Sequence, residues 1–427
     1  MSMPLPKKAG AVALTAALLA LASPMAASAA SAGSAASAAP AAVGGHPAAR
    51  HSHRYGEDTL RRDLAAVRQA GGGDVNVLAR VDGTAGGPLM ARIGTRTAGS
   101  AAPIPWHARF RAASTTKTFT ATVVLQLVAE RRLSLEDTVE HWLPGVVAGN
   151  GNDGSQITVR DLLRQTSGLY DYVDDPEIQD RLINHFDENR HDTTPAADLV
   201  AVAMRHRPLF VPERGGATRW AYSNTNYLLA GMIAEKAGGA SWAELVERRV
   251  IDRLGLRATS VPGLDPHLPD PHVDAYLTLA DGSRLDVTDH SFQHTADSGV
   301  VSTTGDLNTF FRALAGGRLL PAAQWREMRR TVERTDDPED VAEMPEGTYG
   351  LGLREIPLSC GGHYYTHEGD GVGVNTRPAV SADGRRAVTV SITTTTAPPD
   401  LATLNRATGT LIDHALCAAD AGDLPKG

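Results

Sequence analysis

Ser114-Thr115-Thr116-Lys117-Thr118-Phe119-Thr120-Ala121-Thr122-Val123-Val124-Leu125-Gln126-Leu127-Val128 is the stretch on which the reading of this chain turns. Val123, Val124, Leu127 and Val128 recur at helical spacing, so it reads as a helix opening at Ser114, just after the β-like stretch Arg109 to Arg111. A separation of three residues puts Ser114 and Lys117 on one helical face. The pair matters because this chain uses lysine so rarely. Of 41 basic residues only Lys7, Lys8, Lys117, Lys236 and Lys426 are lysine, and Ser114 with Lys117 is the single Ser-x-x-Lys match. Arginine keeps its proton in proteins, whereas a desolvated lysine amine becomes a base near neutral pH. A neutral Lys117 would take the proton of Ser114, and the helix N-terminus would favour negative charge developing beside it. The plain alternative is a helix start capped by Ser114.

Two further clusters carry candidate chemistry. Tyr222-Ser223-Asn224 stands just before the apolar run Tyr227 to Ile233, which reads as the start of another helix. A tyrosine acts as general base or proton relay where a cation stabilises its phenolate, and the Asn224 amide can hold both Lys117 and a substrate carbonyl. A helix-capping loop would explain the same residues. His367-Glu368-Gly369 follows the β-prone Tyr364-Tyr365-Thr366 and so lies along a strand edge. There Gly369 would let a substrate backbone come close, and His367 would donate to the tyrosine and serine relay or serve only as a surface residue.

Working outward, Leu60, Leu64 and Val67 mark a helix, and Val75 to Val81 and Leu89 to Gly94 read as strands around a turn with Asp82-Gly83. From about Ser114 to His290 the pattern is mostly helical, with a Thr158 to Asp161 capping box. Ala387 to Thr394 returns to strand alternation, and Pro399-Asp400 opens a helix carrying Leu401, Leu404, Leu411 and Ile412. Strands at both ends with helices between predict one sheet built from both chain ends and carrying a helical insertion.

Lys7 and Lys8 precede the apolar run Ala9 to Ala22, and Ala27-Ser28-Ala29 suits signal peptidase, so residues 1–29 read as a secretory signal peptide. Residues 30–54, rich in Ala, Ser and Gly, read as a flexible linker, although His46, His51 and His53 could bind metal weakly. No later segment approaches a membrane span. The mature protein is therefore expected to be secreted. The formal charge of −8, more negative still without the two leader lysines, argues against nucleic acid or anionic membrane surfaces as partners. In an oxidising compartment the only two cysteines, Cys360 and Cys417, are expected to form one disulfide, and alone they cannot make a zinc site.

Taken together and in order, the three clusters resemble those of the serine β-lactamase and penicillin-binding superfamily, most closely the secreted D-alanyl-D-alanine carboxypeptidases related to class C β-lactamases. The resemblance covers residues 55–417 and extends to Phe110-Arg111, Ile157-Thr158-Val159-Arg160-Asp161-Leu162-Leu163, Thr166-Ser167-Gly168-Leu169-Tyr170-Asp171-Tyr172 and Tyr349-Gly350-Leu351-Gly352-Leu353-Arg354. It implies an α/β (α+β) fold, a five-stranded antiparallel sheet flanked by helices plus a helical domain. The sheet would come from about 55–113 and 291–417, the helical insertion from about 114–290, and 418–427 would be a tail. It implies Ser114 as nucleophile, Lys117 and Tyr222 exchanging protons, and Asn224 orienting Lys117 and the substrate. The backbone N–H groups of Ser114 and Asp370 would form the oxyanion hole. Arg354 would hold the free carboxylate of a peptide or penicillin, and Cys360 would pair with Cys417. No cofactor or metal is implied, the substrate is a small peptide, peptidoglycan or β-lactam, and a monomer is expected.

The chain departs from that pattern in one place. In those carboxypeptidases a hydroxyl residue usually stands where Glu368 does here, and a further one can follow at the position of Asp370. Backbone oxyanion chemistry survives the change, but two acids would repel a substrate carboxylate, or Glu368 would pair with Arg354, or both would point into solvent. Either of the first two outcomes shifts specificity toward esters, amides or substrates with an amine near the scissile bond. An esterase or D-amino-acid amidase on the same scaffold, or a non-catalytic penicillin or peptidoglycan binder, are the rival readings.

Overall fold

The computed structural model describes residues 55–212, 218–278, 283–334, 347–394 and 400–418. The expected signal peptide and linker, Pro399 and all but the first residue of the expected tail lie outside them. Six helices frame the argument: α1 (Glu57–Ala70), α2 (Thr116–Ala129), α3 (Val159–Arg164), α4 (Thr225–Gly238), α5 (Thr304–Ala315) and α6 (Leu401–Cys417). The main sheet holds β1 (Val75–Asp82), β2 (Leu89–Ile93), β3 (Thr348–Tyr349), β4 (Arg354–Pro357), β5 (His363–Thr366), β6 (Gly369–Gly371), β7 (Val374–Ser381) and β8 (Ala387–Thr394).

These strands form an eight-stranded sheet in the order β2-β1-β8-β7-β5-β4-β3, with β6 also pairing β7. All pairings are antiparallel. The expected antiparallel sheet with flanking helices is present, but it has eight strands rather than five. The surplus comes from short pieces such as β3 and β6, of two and three residues, which are too brief for side-chain alternation to register in sequence.

Alternation decides what lies on each face. Val77, Ala79, Val81, Val388, Val390 and Ile392 point one way, into a core completed by Leu60, Leu64 and Val67 of α1 and Leu404, Leu411 and Ile412 of α6. On the other face Val380 and Ala387 join the large core that holds α2, α4 and α5. A sheet covered on both sides explains why β1 is buried almost throughout, where a half-exposed strand would alternate.

Helix α2 is the centre of that larger core. Every residue from Thr116 to Leu127 is buried, so the helix has no solvent face. Its threonines are tolerated because their hydroxyls are satisfied: Thr118 donates to the Gly352 carbonyl, Thr120 to that of Ala296 and Thr122 to that of Thr118, each at 2.7 Å. Phe119 stacks on Phe310 of α5 with ring centroids 3.8 Å apart. The predicted capping box is present at the start of α3, where Thr158 and Asp161 bond each other's backbone N–H reciprocally.

Cys360, in the turn after β4, is joined to Cys417, the last residue of α6, across 57 residues of sequence. Closing a loop of that length restricts the unfolded chain, so replacing both cysteines by serine is expected to lower the unfolding free energy by about 4 kcal/mol. Urea unfolding of the double variant beside the parent measures it.

Candidate active site

The chain enters the site through a short pairing of Phe110–Arg111 with Val301–Ser302, and Ala112 N–H donates to the Val300 carbonyl at 2.8 Å. Ala113 then adopts a left-handed φ of +47° while fully buried. Such a conformation costs a non-glycine residue on the order of 1–3 kcal/mol and persists only where the surroundings enforce it. Its consequence is positional. From Phe110 to Leu127, Ser114 is the only residue that is not buried. Its hydroxyl therefore meets solvent at the start of a helix otherwise sealed in the core.

Lys117 is fully buried, and its Nζ has three neighbours at hydrogen-bond distance. Ser114 Oγ lies at 2.9 Å, Asn224 Oδ1 at 2.6 Å and the Asp297 carbonyl oxygen at 3.1 Å. An ammonium would donate to all three. A neutral amine has two protons and one lone pair, and two of the three neighbours are carbonyl oxygens that only accept. The lone pair must then face Ser114, the one partner with a proton to give. Burial drives the Lys117 pKa down to about 8, against the opposing charges of Asp297 and Asp171. The amine is thus poised near neutrality.

Tyr222 stands beside Ser114, whose hydroxyl acts on its phenol, and Lys117 Nζ lies 5.0 Å from the centre of its ring. Burial raises its phenol well above the usual range, with Tyr349, Asp171 and Asp297 adding to the effect and Ser114 opposing it. Tyr222 is therefore protonated at rest and suited to pass a proton rather than to begin as a base. Asn224 immediately precedes α4, its amide N–H2 donating to Asp171 Oδ2 at 2.8 Å while its oxygen faces Lys117.

The third cluster closes the site from the sheet side. Thr115 Oγ1 donates to the His367 carbonyl at 2.9 Å, and a Cβ on Gly369 would stand 2.1 Å from the Ala112 carbonyl oxygen. Glycine is required there because strand β6 lies against the loop that carries Ser114, a reason different from the substrate approach expected from sequence. His367 also departs from expectation. Its Nε2 bonds the Tyr349 hydroxyl at 2.9 Å and its Nδ1 the Glu368 carbonyl at 2.8 Å, while its ring centre is 6.5 Å from that of Tyr222. Burial, with Lys117 nearby, lowers its pKa to about 4, so it is a neutral imidazole, and both its nitrogens are engaged by Tyr349 and Glu368 instead of by Tyr222 or Ser114.

Neither acid of the strand motif points away into solvent. Glu368 forms an ion pair with Arg354, whose side chain is only 4% exposed. Burial would raise the Glu368 pKa, but Arg354, by charge and hydrogen bond, holds it at about 2. Asp370 accepts from Arg377 at 2.7 Å and also from Asn375. Arg354, expected to receive a substrate carboxylate, thus already holds one.

Residues that sequence reasoning left without a role complete the site. Asp171 and Asp297 are both buried beside Lys117, and Tyr172 donates to Asp297 Oδ2 at 3.1 Å. Asp171 lay within a stretch quoted for the resemblance, but nothing in the letters around Asp297 marked it. Among the described residues no group of three or more His, Cys, Asp or Glu is placed to hold a metal ion.

Residues 59–411 match the family described as Beta-lactamase. The chain belongs to the β-lactamase family. Among solved structures of that kind, a D-stereospecific amidohydrolase from Streptomyces sp. is 40% identical with a TM-score of 0.71, covering 81% of this chain and 98% of its own. A D-amino acid amidase from Ochrobactrum anthropi SV3, 22% identical with a TM-score of 0.67 over 83% of this chain and 97% of its own, shares the fold. Penicillin-binding protein 4* of Bacillus subtilis (strain 168) is 27% identical over 301 residues, 67% of this chain. That match spans 61% of the length of the Bacillus subtilis protein. This member of the β-lactamase family therefore has a serine hydrolase scaffold.

A pH dependence follows from the Lys117 environment. With a pKa of about 8, the amine is an ammonium at lower pH and free above it, so base strength grows as protons are removed. The rate of Ser114 acylation by an activated ester is expected to rise from pH 6 through about 8 and level off above, as read by stopped-flow bursts. Lys117→Arg, which cannot lose its proton, is expected to abolish the burst.

Proposed function

We propose that this chain is an exported serine hydrolase that cleaves D-aminoacyl amide and ester bonds through a Ser114 acyl-enzyme. The observation that carries the choice of substrate is the buried Arg354–Glu368 ion pair. A carboxypeptidase needs a cation free to hold the carboxylate beside the scissile bond, and here Glu368 occupies the cation that the resemblance assigns to it. An amide or ester has no such carboxylate to place. Asp370, with its side chain one third exposed, keeps a carboxylate at this edge that a substrate ammonium group could approach beside Arg377. The name of the 40% identical Streptomyces protein, a D-stereospecific amidohydrolase, supports the same chemistry and the D configuration.

The steps follow from the hydrogen bonds. Ser114 Oγ attacks the carbonyl carbon as its proton passes to the Lys117 lone pair, which Asn224 and the Asp297 carbonyl hold in line. The backbone N–H groups of Ser114 and Asp370 would receive the oxyanion. The tetrahedral intermediate collapses by breaking the bond to the leaving amine or alcohol, which takes a proton from Tyr222, and Tyr222 recovers one from Lys117. Water then attacks the acyl-enzyme by the reverse sequence, releasing the acid and restoring Ser114.

The D-alanyl-D-alanine carboxypeptidase reading and reaction with penicillins both require Arg354 to be available. A non-catalytic binder would have no use for the nucleophile, amine and phenol gathered around Ser114. Export rests on residues 1–29, and the Cys360–Cys417 disulfide is consistent with an oxidising compartment.

A substrate panel tests the proposal. D-phenylalanine amide and D-phenylalanine methyl ester are expected to be cleaved faster than their L forms and faster than a D-alanyl-D-alanine peptide, with Ser114→Ala inactive on all of them. Faster release of terminal D-alanine than of the amide or ester would reverse the assignment. Glu368→Thr, which removes the carboxylate paired with Arg354, is expected to raise D-alanyl-D-alanine cleavage relative to amide cleavage by about tenfold, the worth of one charge-assisted hydrogen bond.

A further inference from the structure

The acid beside Asn224 has no part in the steps above, yet its geometry is specific. Asp171 is buried at the head of a short turn, where its Oδ1 accepts from Val173 N–H at 3.1 Å. Its Oδ2 accepts twice from Asn224, from the backbone N–H at 2.9 Å and from the side-chain Nδ2 at 2.8 Å. We propose that Asp171 is a positioning residue for acylation, which acts through Asn224 to aim the Lys117 lone pair at Ser114. The inference rests on the reading that Ser114 is the acylated residue.

The argument begins with the asparagine amide, whose two edges are nearly equal in shape but opposite in hydrogen-bonding sense. A carboxylate only accepts, so Asp171 compels the N–H2 edge of Asn224 to face it. The carbonyl edge is then left for Lys117. If Asn224 turned over, its N–H2 would confront the amine, and a neutral Lys117 would direct its lone pair to that new donor instead of to Ser114. The third neighbour, the Asp297 carbonyl, is backbone and cannot turn over. Asn224 is therefore the one partner of Lys117 whose sense has to be set, and Asp171 sets it.

Charge adds a signature that shape alone would lack. Lys117 has Asp171 and Asp297 as its anions, with the Tyr222 and Tyr227 rings and His367 as its other titratable neighbours. Asp171 in turn faces Lys117, Asp297, Tyr170, Tyr172 and Tyr222. Burial raises the Asp171 pKa to about 6, held from going higher by the Asn224 and Val173 N–H groups and by Lys117, so the carboxylate is mostly ionised above that pH. Removing that anion makes the ammonium form of Lys117 less favourable. The amine then loses its proton at lower pH, although its aim at Ser114 is worse.

Two variants of nearly unchanged shape separate these effects: Asp171→Asn, and the exchange Asp171→Asn with Asn224→Asp, which moves the carboxylate directly onto Lys117. The acylation burst with p-nitrophenyl acetate is followed from pH 6 to 10. In Asp171→Asn the midpoint is expected to fall by about one pH unit. Its plateau is expected to drop roughly tenfold, the worth of the lost charge-assisted bonds. In the exchange variant the midpoint is expected to rise above that of the parent. An unmoved midpoint in Asp171→Asn, or movement in the same direction in both variants, overturns the proposal. Failure of both variants to fold overturns it as well, since Asp171 would then serve the fold. Hydrolysis of the ester by Ser114→Ala as fast as by the parent enzyme would instead remove the Ser114 reading itself, and that comparison alone distinguishes the outcome.

Discussion

A lysine amine sealed from water is the constraint that the rest of the molecule serves. Burying an ammonium without partners costs several kcal/mol, and no single segment can supply three oxygens around one nitrogen. The chain draws them from the start of α2, from the residue before α4 and from the loop that leads into Val301. Those three places are distant in sequence, so the helical layer and the sheet must pack in one register for the amine to be satisfied. The anions Asp171 and Asp297 recover part of the charge that burial would expel, and the balance leaves Lys117 between base and cation. A better-compensated lysine would keep its proton, and a less-compensated one would give the fold no charged form to hold.

How much of this the sequence carried depends on the kind of signal. Ser114, Lys117, Tyr222 and Asn224 stood out because side-chain chemistry at fixed spacing is written in letters, and the scarcity of lysine sharpened it. The strands β1, β2 and β8 and the helices α1 and α6 were legible from periodicity. The short strands were not, since two or three residues hold no pattern. Asp297 contributes a backbone carbonyl to Lys117, an atom that every residue has and no letter announces. His367 was assigned to the relay by its type, but its partner is fixed by Tyr349 on the neighbouring side of the site, a contact made in space. The acids at 368 and 370 were visible as a departure, and only coordinates could choose between repulsion, pairing and exposure.

The choice made there separates reactivity from selectivity. Arg354 with Glu368, and Arg377 with Asp370, form two neighbouring opposite pairs along the edge of the site. Truncating any one member would remove the opposite charge that its partner faces, so the two pairs are coupled to any change along this edge. The three oxygens that hold the Lys117 amine come from elsewhere, from Ser114, Asn224 and Asp297. With the proposed acyl-transfer groups just before and on α2 and before α4, and the proposed recognition groups on the sheet, one substrate class could be exchanged for another while the reaction stays the same.

The pairing of β1 with β8 sets a condition on when such a site can exist. The two strands align along their full lengths, although their residues are about 300 positions apart. Contacts of such long range are slow to form because a large loop must first be closed. During synthesis Ser114 and its helix emerge long before β7, against which the β6 edge of the site is laid, and β8, which pairs β7. A nascent chain thus carries Ser114 with no finished crevice around it, and the site can assemble only once β8 has been made and paired with β1.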